Sequence, residues 1–196
     1  MQRTIDSHSA RDELFRRIVR NVVNFQYLEA TLRSMIPALY NKGTLKELQA
    51  NQDGLSRKDK KSSLGDLANA YHERVYGKNI ADEALADEVL SEPTFAFSVH
   101  IEVTPEKVVQ RKRALGKLIA ERNRLIHKDL LNVDLNSREE CEELSARLDE
   151  QYIRIRRYLE YLNSLRTSFR EMVAEFGRLL ESDEFLALLR RECDDA

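Results

Sequence analysis

The chain has few of the residues that build metal centres or disulfide frameworks. Its two cysteines, Cys141 and Cys193, stand far apart and lack the spacing of a metal or redox motif. The four histidines are scattered, and no two of them are four residues apart. We therefore expect reduced thiols, no bound metal and no cofactor.

Glycine, proline and long apolar runs are scarce as well. Six glycines and three prolines in 196 residues form no glycine-rich phosphate loop and no Gly-x-Ser-x-Gly nucleophile turn. No run of eighteen apolar residues and no signal peptide is present, so we expect a cytoplasmic protein without a membrane partner. Charged residues make up 34% and apolar residues 42% of the chain, a composition that favours helices.

Charge is distributed unevenly along the sequence. The net charge of −2 gives the whole protein no general attraction for nucleic acid, so any basic surface must be local. Between Thr104 and Lys128, eight lysines and arginines stand against two glutamates, whereas the residues from Glu181 onwards are rich in acids. The basic region coincides with one predicted helix.

Apolar residues recur at three- and four-residue steps along most of the chain, which predicts an all-α fold. Ser9 is the expected N-cap of the first helix, and Pro37 is expected to kink or thin its last turns. Ser63 with Asp66, and Ser137 with Glu140, are capping signals for later helices. The predicted helices cover residues 9–42, 45–50, 63–77, 80–90, 108–128, 137–180 and 183–193.

One stretch breaks the helical pattern. Apolar and polar residues alternate from Thr94 to Val103, with Phe95, Phe97 and Val99 on one side, which predicts a short extended segment. No second strand is evident in the sequence. The segment is therefore expected either to pack on the helices or to pair with its copy in a dimer.

The last long helix carries a heptad pattern from Leu148 to Leu180, interrupted by Arg166. At roughly 1.5 Å per residue it is longer than a compact bundle requires, so part of it is expected to project or to pair. We interpret this seam as core and dimer surface. Arg166 is expected to pair with an acid across the dimer.

The basic helix contains an unusual arginine. At about 100° per residue, Arg122 lies in the middle of the apolar stripe formed by Val108, Leu115, Leu118, Ile119, Leu125 and Ile126. A guanidinium on a buried face needs a partner, so either Arg122 pairs with a carboxylate such as Glu121, or this face binds a partner or an anion. His127 lies about 140° away around a straight helix, so a second copy is expected to complete any shared site. His127 is otherwise a polar residue near a helix C-terminus.

The segment Arg122-Asn123-Arg124-Leu125-Ile126-His127 resembles the Arg-polar-x3-His motif of HEPN domains, helical modules of many prokaryotic toxin and antiphage ribonucleases. Arg3 to His8 has the same spacing but lacks an apolar stripe. The resemblance covers residues 63–165 of a chain interpreted as one domain over 1–196, with an N-terminal helix and a helical extension over 166–193. It implies a helical bundle that dimerises through its motif helices.

The resemblance also implies a function. It predicts metal-independent RNA cleavage by the RNA's own 2′-hydroxyl at a composite dimer site, with Arg122, His127 and Asn123 as catalytic residues. Arg124, Lys128 and Arg111 are expected to bind RNA phosphates. The protein would be a toxin or antiphage effector controlled by an antitoxin or another regulatory partner. The alternative is a non-catalytic helical dimer that binds RNA, a nucleotide or another protein.

Overall fold

The computed structural model describes residues 2–43, 62–77, 95–180 and 182–183. Within these ranges the all-α class is confirmed, and no helix there is long and apolar enough to cross a membrane. The helices predicted over 45–50 and 80–90, most of the helix over 183–193 and the basic cluster Arg57 to Lys61 lie outside the described residues. The four long helices are α1 (Gln2–Met35), α2 (Leu64–Tyr76), α3 (Pro105–Arg124) and α4 (Arg138–Leu180).

The first helix differs from the prediction at both ends. It begins at Gln2 rather than after Ser9, because no proline or glycine interrupts residues 2–8 and the helical backbone continues through them. It ends at Met35, seven residues before the predicted end at residue 42, and changes into a 3₁₀ turn over Ile36–Ala38. Pro37 stands in this turn and lacks the N–H that an α-helix would use, so the predicted thinning is confirmed.

The extended segment finds its partner within the same chain. Strand β1 (Tyr40–Gly43) pairs antiparallel with β2 (Phe95–Ser98), Tyr40 opposite Ser98 and Gly43 opposite Phe95. The expectation that the chain offers no second strand was therefore wrong. Packing on the helices is confirmed farther along the segment, where Val99 is buried and the Ile101 N–H donates to the Val75 carbonyl of α2 at 3.1 Å. Asn41-Lys42-Gly43 was interpreted as the stop of the first helix, because asparagine and glycine commonly end helices. The four residues Tyr-Asn-Lys-Gly show no alternation that would indicate a strand.

Helix α2 begins and ends where its sequence predicts. The Ser63 hydroxyl accepts the Asp66 N–H at 3.2 Å, and the Asp66 carboxylate accepts the Ser63 N–H at 3.0 Å. The Ser63 hydroxyl also donates to the Asp66 carboxylate at 2.7 Å, and this bond, followed by the one from the Ser63 N–H, lowers the pKa of Asp66. At the other end, the Gly77 N–H donates to the Glu73 carbonyl, and a Cβ on Gly77 would lie 2.1 Å from that oxygen. Glycine therefore allows the close approach that ends the helix.

The two later helix starts also follow sequence signals, which are Thr104 followed by Pro105 for α3 and Ser137 with Glu140 for α4. Thr104 is the N-cap of α3, and Pro105 is its first residue. At the start of α4, the Ser137 hydroxyl accepts the Glu140 N–H at 3.3 Å, which confirms half of the predicted capping box. The Glu140 carboxylate instead accepts the backbone N–H of Asp134, at 2.8 Å, and so holds the preceding loop.

A core cluster joins the three longest helices. Leu125, the residue that directly follows α3, is 1% exposed and belongs to a cluster contributed mainly by α1 and α4. Cys141 is fully buried in this cluster, and burial raises the pKa of its thiol, as expected of a structural cysteine. The buried members of the cluster are Leu14, Ile18, Leu125, Cys141, Leu144 and Leu148.

A polar network fixes α1 against α4 next to this cluster. Arg17 and Arg20 donate to the two carboxylate oxygens of Asp149, at 2.9 and 2.8 Å. Desolvation raises the pKa of Asp149, but the hydrogen bonds from the two arginines outweigh it and leave that pKa below its usual value. The buried Asn21 donates to the Leu148 carbonyl at 2.7 Å and to Gln151 at 2.9 Å. Because each bond has a fixed direction, the network sets the register of the two helices.

The chain divides into two compact units, residues 1–160 and residues 161–196. In the first unit the α4 seam is buried, with Leu148, Ile155 and Leu159 all 5% exposed or less. In the second unit Val173 of the same seam is 51% exposed. The interpretation of this part as dimer surface stays a prediction.

His72 on α2 generates a prediction about acid stability. The side chain is 6% exposed, stacks on Tyr76, and has no hydrogen-bond partner for either ring nitrogen among the described residues. Burial, and to a lesser degree the charge of Lys112, lower the pKa of His72 from 6.5 to about 4. Between these values the unfolded chain binds a proton that the folded chain does not. The free energy of unfolding should therefore fall as the pH is lowered through this window.

We expect the Tm to decrease between about pH 7 and pH 4.5, and His72→Leu to make this decrease shallower. Thermal melts monitored by circular dichroism measure the Tm of wild type and His72→Leu at each pH. His100→Gln is the matched control, because His100 is exposed. An equal pH dependence in wild type and His72→Leu would contradict the assignment.

Candidate ribonuclease motif

The motif helix is not uniformly α-helical. Residues Leu125–Asp129 form a π turn, in which the Leu130 N–H donates to the Leu125 carbonyl, and a last α turn follows over Leu130–Asn132. The prediction of one α-helical run from Val108 to Lys128 is therefore corrected. A π turn holds one residue more than an α turn, so residues five apart come closer to a common face. The angle of about 140° between Arg122 and His127 applies only to a straight α-helix.

The π turn is held at both of its ends. Leu125 is buried in the three-helix core cluster. Asp129 is 16% exposed and lies between two arginines, with Arg124 Nε at 3.2 Å and Arg147 Nη2 of α4 at 3.4 Å from its Oδ1. These contacts connect both ends of the turn to the bundle, and π turns are frequent at functional sites.

Arg122 lies where the sequence places it, on the apolar side of α3. Its side chain is half-buried between the buried residues Leu118 and Leu125. Its Nη1 donates to Asn123 Oδ1 at 3.2 Å, and it has no ion pair with any described residue. Two adjoining cavities open beside it towards α1, of about 490 and 120 Å³. Besides Arg122, both cavities are lined by Gln26 and Glu29. The larger cavity is also lined by Ala30, Arg33 and Ser34. The smaller cavity is also lined by Val22, Phe25, Leu125 and Ile126.

The carboxylate that the sequence offered to Arg122 is used elsewhere. Glu121 pairs with Arg154 of α4, with Oε1 3.0 Å from Nη2, and lies 4.0 Å from Lys117 Nζ. Glu121 and Arg122 are adjacent in sequence but therefore have different environments among the described residues. Glu121 connects α3 to α4, whereas Arg122 faces a cleft.

His127 and Asn123 are both exposed. His127 has no hydrogen bond to any described residue, so within one chain nothing described here orients its ring. The catalytic role expected of Asn123 stays a prediction. Its side-chain oxygen accepts from Arg122 and so positions the guanidinium.

The three residues expected to bind phosphates differ in their surroundings. Lys128 is exposed. Arg124 is also exposed but is bound to Asp129. Arg111 donates to the Tyr76 hydroxyl at 2.9 Å and lies over that ring, eleven residues and about 16 Å before Arg122 along the helix. The structure thus brings Arg124 and Lys128 to the π turn and leaves Arg111 at the contact with α2.

Sequence reasoning missed the contribution of α1 to this region. Glu29 and Arg33 line the same cleft as Arg122 and form an ion pair of 2.7 Å with each other. An i,i+4 pair of opposite charge usually marks a solvated helix face, so nothing in the sequence singles this pair out. Only the packing of α1 against α3 shows that this pair faces Arg122.

The described residues contain no group of three or more His, Cys, Asp or Glu side chains able to hold a metal ion. Comparison with protein-family models, curated proteins and solved structures finds no match. A functional assignment therefore depends on the geometry of the motif. The half-buried guanidinium of Arg122 faces an open cleft, and the exposed imidazole of His127 lies in the π turn that follows α3.

Arg122 and Glu121 should respond in opposite ways to loss of charge. Glu121→Gln removes the partner of Arg154 and should lower the free energy of unfolding by about 1 kcal/mol. Arg122→Met keeps the aliphatic stem in the apolar stripe and removes a half-buried charge that has no ion pair among the described residues. We expect it to leave stability unchanged or to raise it by up to about 1 kcal/mol.

Urea denaturation of the two variants and the wild type measures both effects. Arg113→Met, at an exposed position of the same helix, controls for loss of a positive charge. A clear loss of stability in Arg122→Met alone would show that Arg122 is a structural residue.

Proposed function

We propose that the protein is a metal-independent endoribonuclease of the HEPN type that acts as a homodimer. The observation that supports this most is Arg122, which is half-buried, without an ion pair among the described residues, and open to a cleft. A half-buried guanidinium beside open space is suited to binding an anion, because its fork of donors keeps its charge at every physiological pH. In this proposal the anion is the scissile RNA phosphate.

The reaction needs only groups that the motif can supply. The 2′-hydroxyl of the RNA attacks the adjacent phosphorus and loses its proton to an imidazole, while the bond from phosphorus to the 5′-oxygen breaks. The leaving 5′-oxygen takes a proton from a second imidazole. The products are a 2′,3′-cyclic phosphate and a free 5′-hydroxyl. An imidazole with an unperturbed pKa of about 6.5 can perform either transfer near neutral pH.

Arg122 would stabilise the charge that develops on the non-bridging oxygens, with Asn123 as its positioning residue. Each chain provides one His127, so two chains provide the base and the acid. The exposed position of His127 leaves its ring accessible to a second copy and to RNA. Lys128 and Arg124 would bind flanking phosphates, Arg124 by exchanging its contact with Asp129.

The biological setting belongs to the same proposal. An enzyme that cleaves RNA without a metal needs control inside a cell, so we propose a cytoplasmic toxin or antiphage effector with an antitoxin or another regulatory partner. The second candidate is a non-catalytic dimer that binds RNA or nucleotide. It is favoured by the absence of any described hydrogen bond that orients His127.

Cleavage of total RNA in EDTA is the direct test. We expect fragments ending in cyclic phosphate from the wild type, and a loss of at least about a hundredfold in rate for His127→Ala and for Arg122→Met. His100→Ala, at another exposed histidine, should cleave at the wild-type rate. Mixing the two inactive variants should not restore activity, because a mixed dimer holds one His127 and the reaction needs two. Equal, residual activity in all variants would exclude the enzyme and favour the binding protein.

The π turn provides a second test of the proposal. Deleting Lys128 should turn the Leu130-to-Leu125 hydrogen bond into an ordinary α-helical one, with the flanking residues kept in register. His127 would then move away from the face of Arg122. We expect a folded protein with cleavage reduced at least about tenfold below that of Lys128→Ala, which removes the same charge but leaves the π turn in place.

Circular dichroism and size-exclusion chromatography would show that the fold and the oligomeric state are retained. Equal cleavage by the deletion variant and Lys128→Ala would contradict a role for the π turn.

A further inference from the structure

The larger cleft has a cation on each side. Arg122 reaches it from α3 and Arg33 from α1, and Glu29 is the only acid among its described lining residues. Its volume of about 490 Å³ lies within the usual range of ligand sites. The described lining therefore carries two positive charges and one negative charge, an excess of one positive charge.

One guanidinium nitrogen of Arg33 makes no hydrogen bond to the described residues. Its Nη2 donates to Glu29 at 2.7 Å and to the Ser62 carbonyl at 3.3 Å, but its Nη1 is buried and has no hydrogen-bond partner among the described residues. A buried unpaired donor on a charged group is costly. A small change of the Arg33 side chain, which is 24% exposed, would turn this donor towards the cleft.

Glu29 lines both cavities together with Arg122, yet no ion pair joins these two residues. The carboxylate instead binds Arg33. Two positive groups thus share a cleft in which a single carboxylate neutralises only one of them. An oxyanion that bridges both guanidiniums would satisfy the remaining donors and neutralise the second charge.

We propose that this cleft binds a phosphodiester group of RNA between Arg122 and Arg33, and that Glu29 competes with the phosphate for Arg33. The inference rests on the proposed function for the identity of the ligand, and it adds Arg33 of α1 as a second phosphate-binding residue. Glu29 is the counterion of Arg33 when the cleft is empty, and it limits affinity so that product can leave. The same chemistry would accept the phosphate monoester of a free nucleotide, so the experiment has to separate the two ligands.

Fluorescence anisotropy with a labelled single-stranded oligoribonucleotide lacking terminal phosphates tests the proposal. The full-length protein carries His127→Ala, so that binding is measured without cleavage. Arg33→Gln should weaken binding about tenfold and reduce the slope of log K against log salt by about 0.7, the value for one contact with a single strand. Arg16→Gln is the matched control, because Arg16 is an exposed arginine of the same helix.

Glu29→Gln should act in the opposite direction and tighten binding several-fold, because it removes a competing negative charge. A misfolded variant cannot produce this gain, so the result stays decisive if Arg33→Gln is unstable. Arg33→Lys should give an intermediate affinity, since it keeps the charge but loses the fork. Weaker RNA binding in Glu29→Gln, together with a lower Tm, would show that Glu29 has a structural role and would overturn the inference.

The outcomes separate this inference from the proposed function. RNA binding that depends on Arg33 in a protein that never cleaves RNA would support the phosphate site and refute the enzyme. Cleavage that depends on His127, together with equal RNA affinity in Arg33→Gln and Arg16→Gln, would support the enzyme and refute the phosphate site. Adenosine 5′-monophosphate that binds more tightly than the oligoribonucleotide, with the same dependence on Arg33, would overturn the assignment to a phosphodiester.

Discussion

The burial of Leu125 determines the arrangement of the motif. This side chain is 1% exposed and packs in a cluster with residues of α1 and α4. Burying a leucine is worth roughly 1.5–3 kcal/mol, so the helix cannot rotate about its axis without losing that energy. With Leu125 pointing inwards, Arg122 faces α1 across a cleft, while His127 remains exposed. One apolar contact thus fixes the directions of both Arg122 and His127.

The network between α1 and α4 supplies the other wall of the cleft. Asn21 and Asp149 are joined to the opposite helix by hydrogen bonds of 2.7 to 2.9 Å, which set the rotation and register of α1. Glu29 lies eight residues, or about 12 Å, beyond Asn21 on the same uninterrupted helix. Because a helix transmits its rotation along its axis, fixing α1 at Asn21 also directs Glu29 and Arg33 towards Arg122. The larger cleft is therefore a product of two helix contacts made by residues that do not line it.

The sequence was sufficient wherever the local pattern determines the structure. The capping box at Ser63, the proline start at Pro105 and the position of Arg122 on an apolar stripe all depend on neighbours within a few residues. The π turn could not be predicted in this way, because it depends on the burial of Leu125 and on two arginines that converge on Asp129. Strand β1 likewise exists only because β2, more than fifty residues later, pairs with it.

The π turn also changes the reason for expecting a dimer. In a straight helix, Arg122 and His127 point in different directions, and a second copy would be needed to bring an arginine and a histidine together. With an additional residue in the turn, that geometric reason weakens, because one chain presents the two groups closer to a common face. The chemical reason remains. Cleavage by a 2′-hydroxyl needs one group that accepts a proton and another that donates one, and His127 is the only histidine in the motif. A second copy of the chain would therefore be needed for its imidazole, even where its arginine is not.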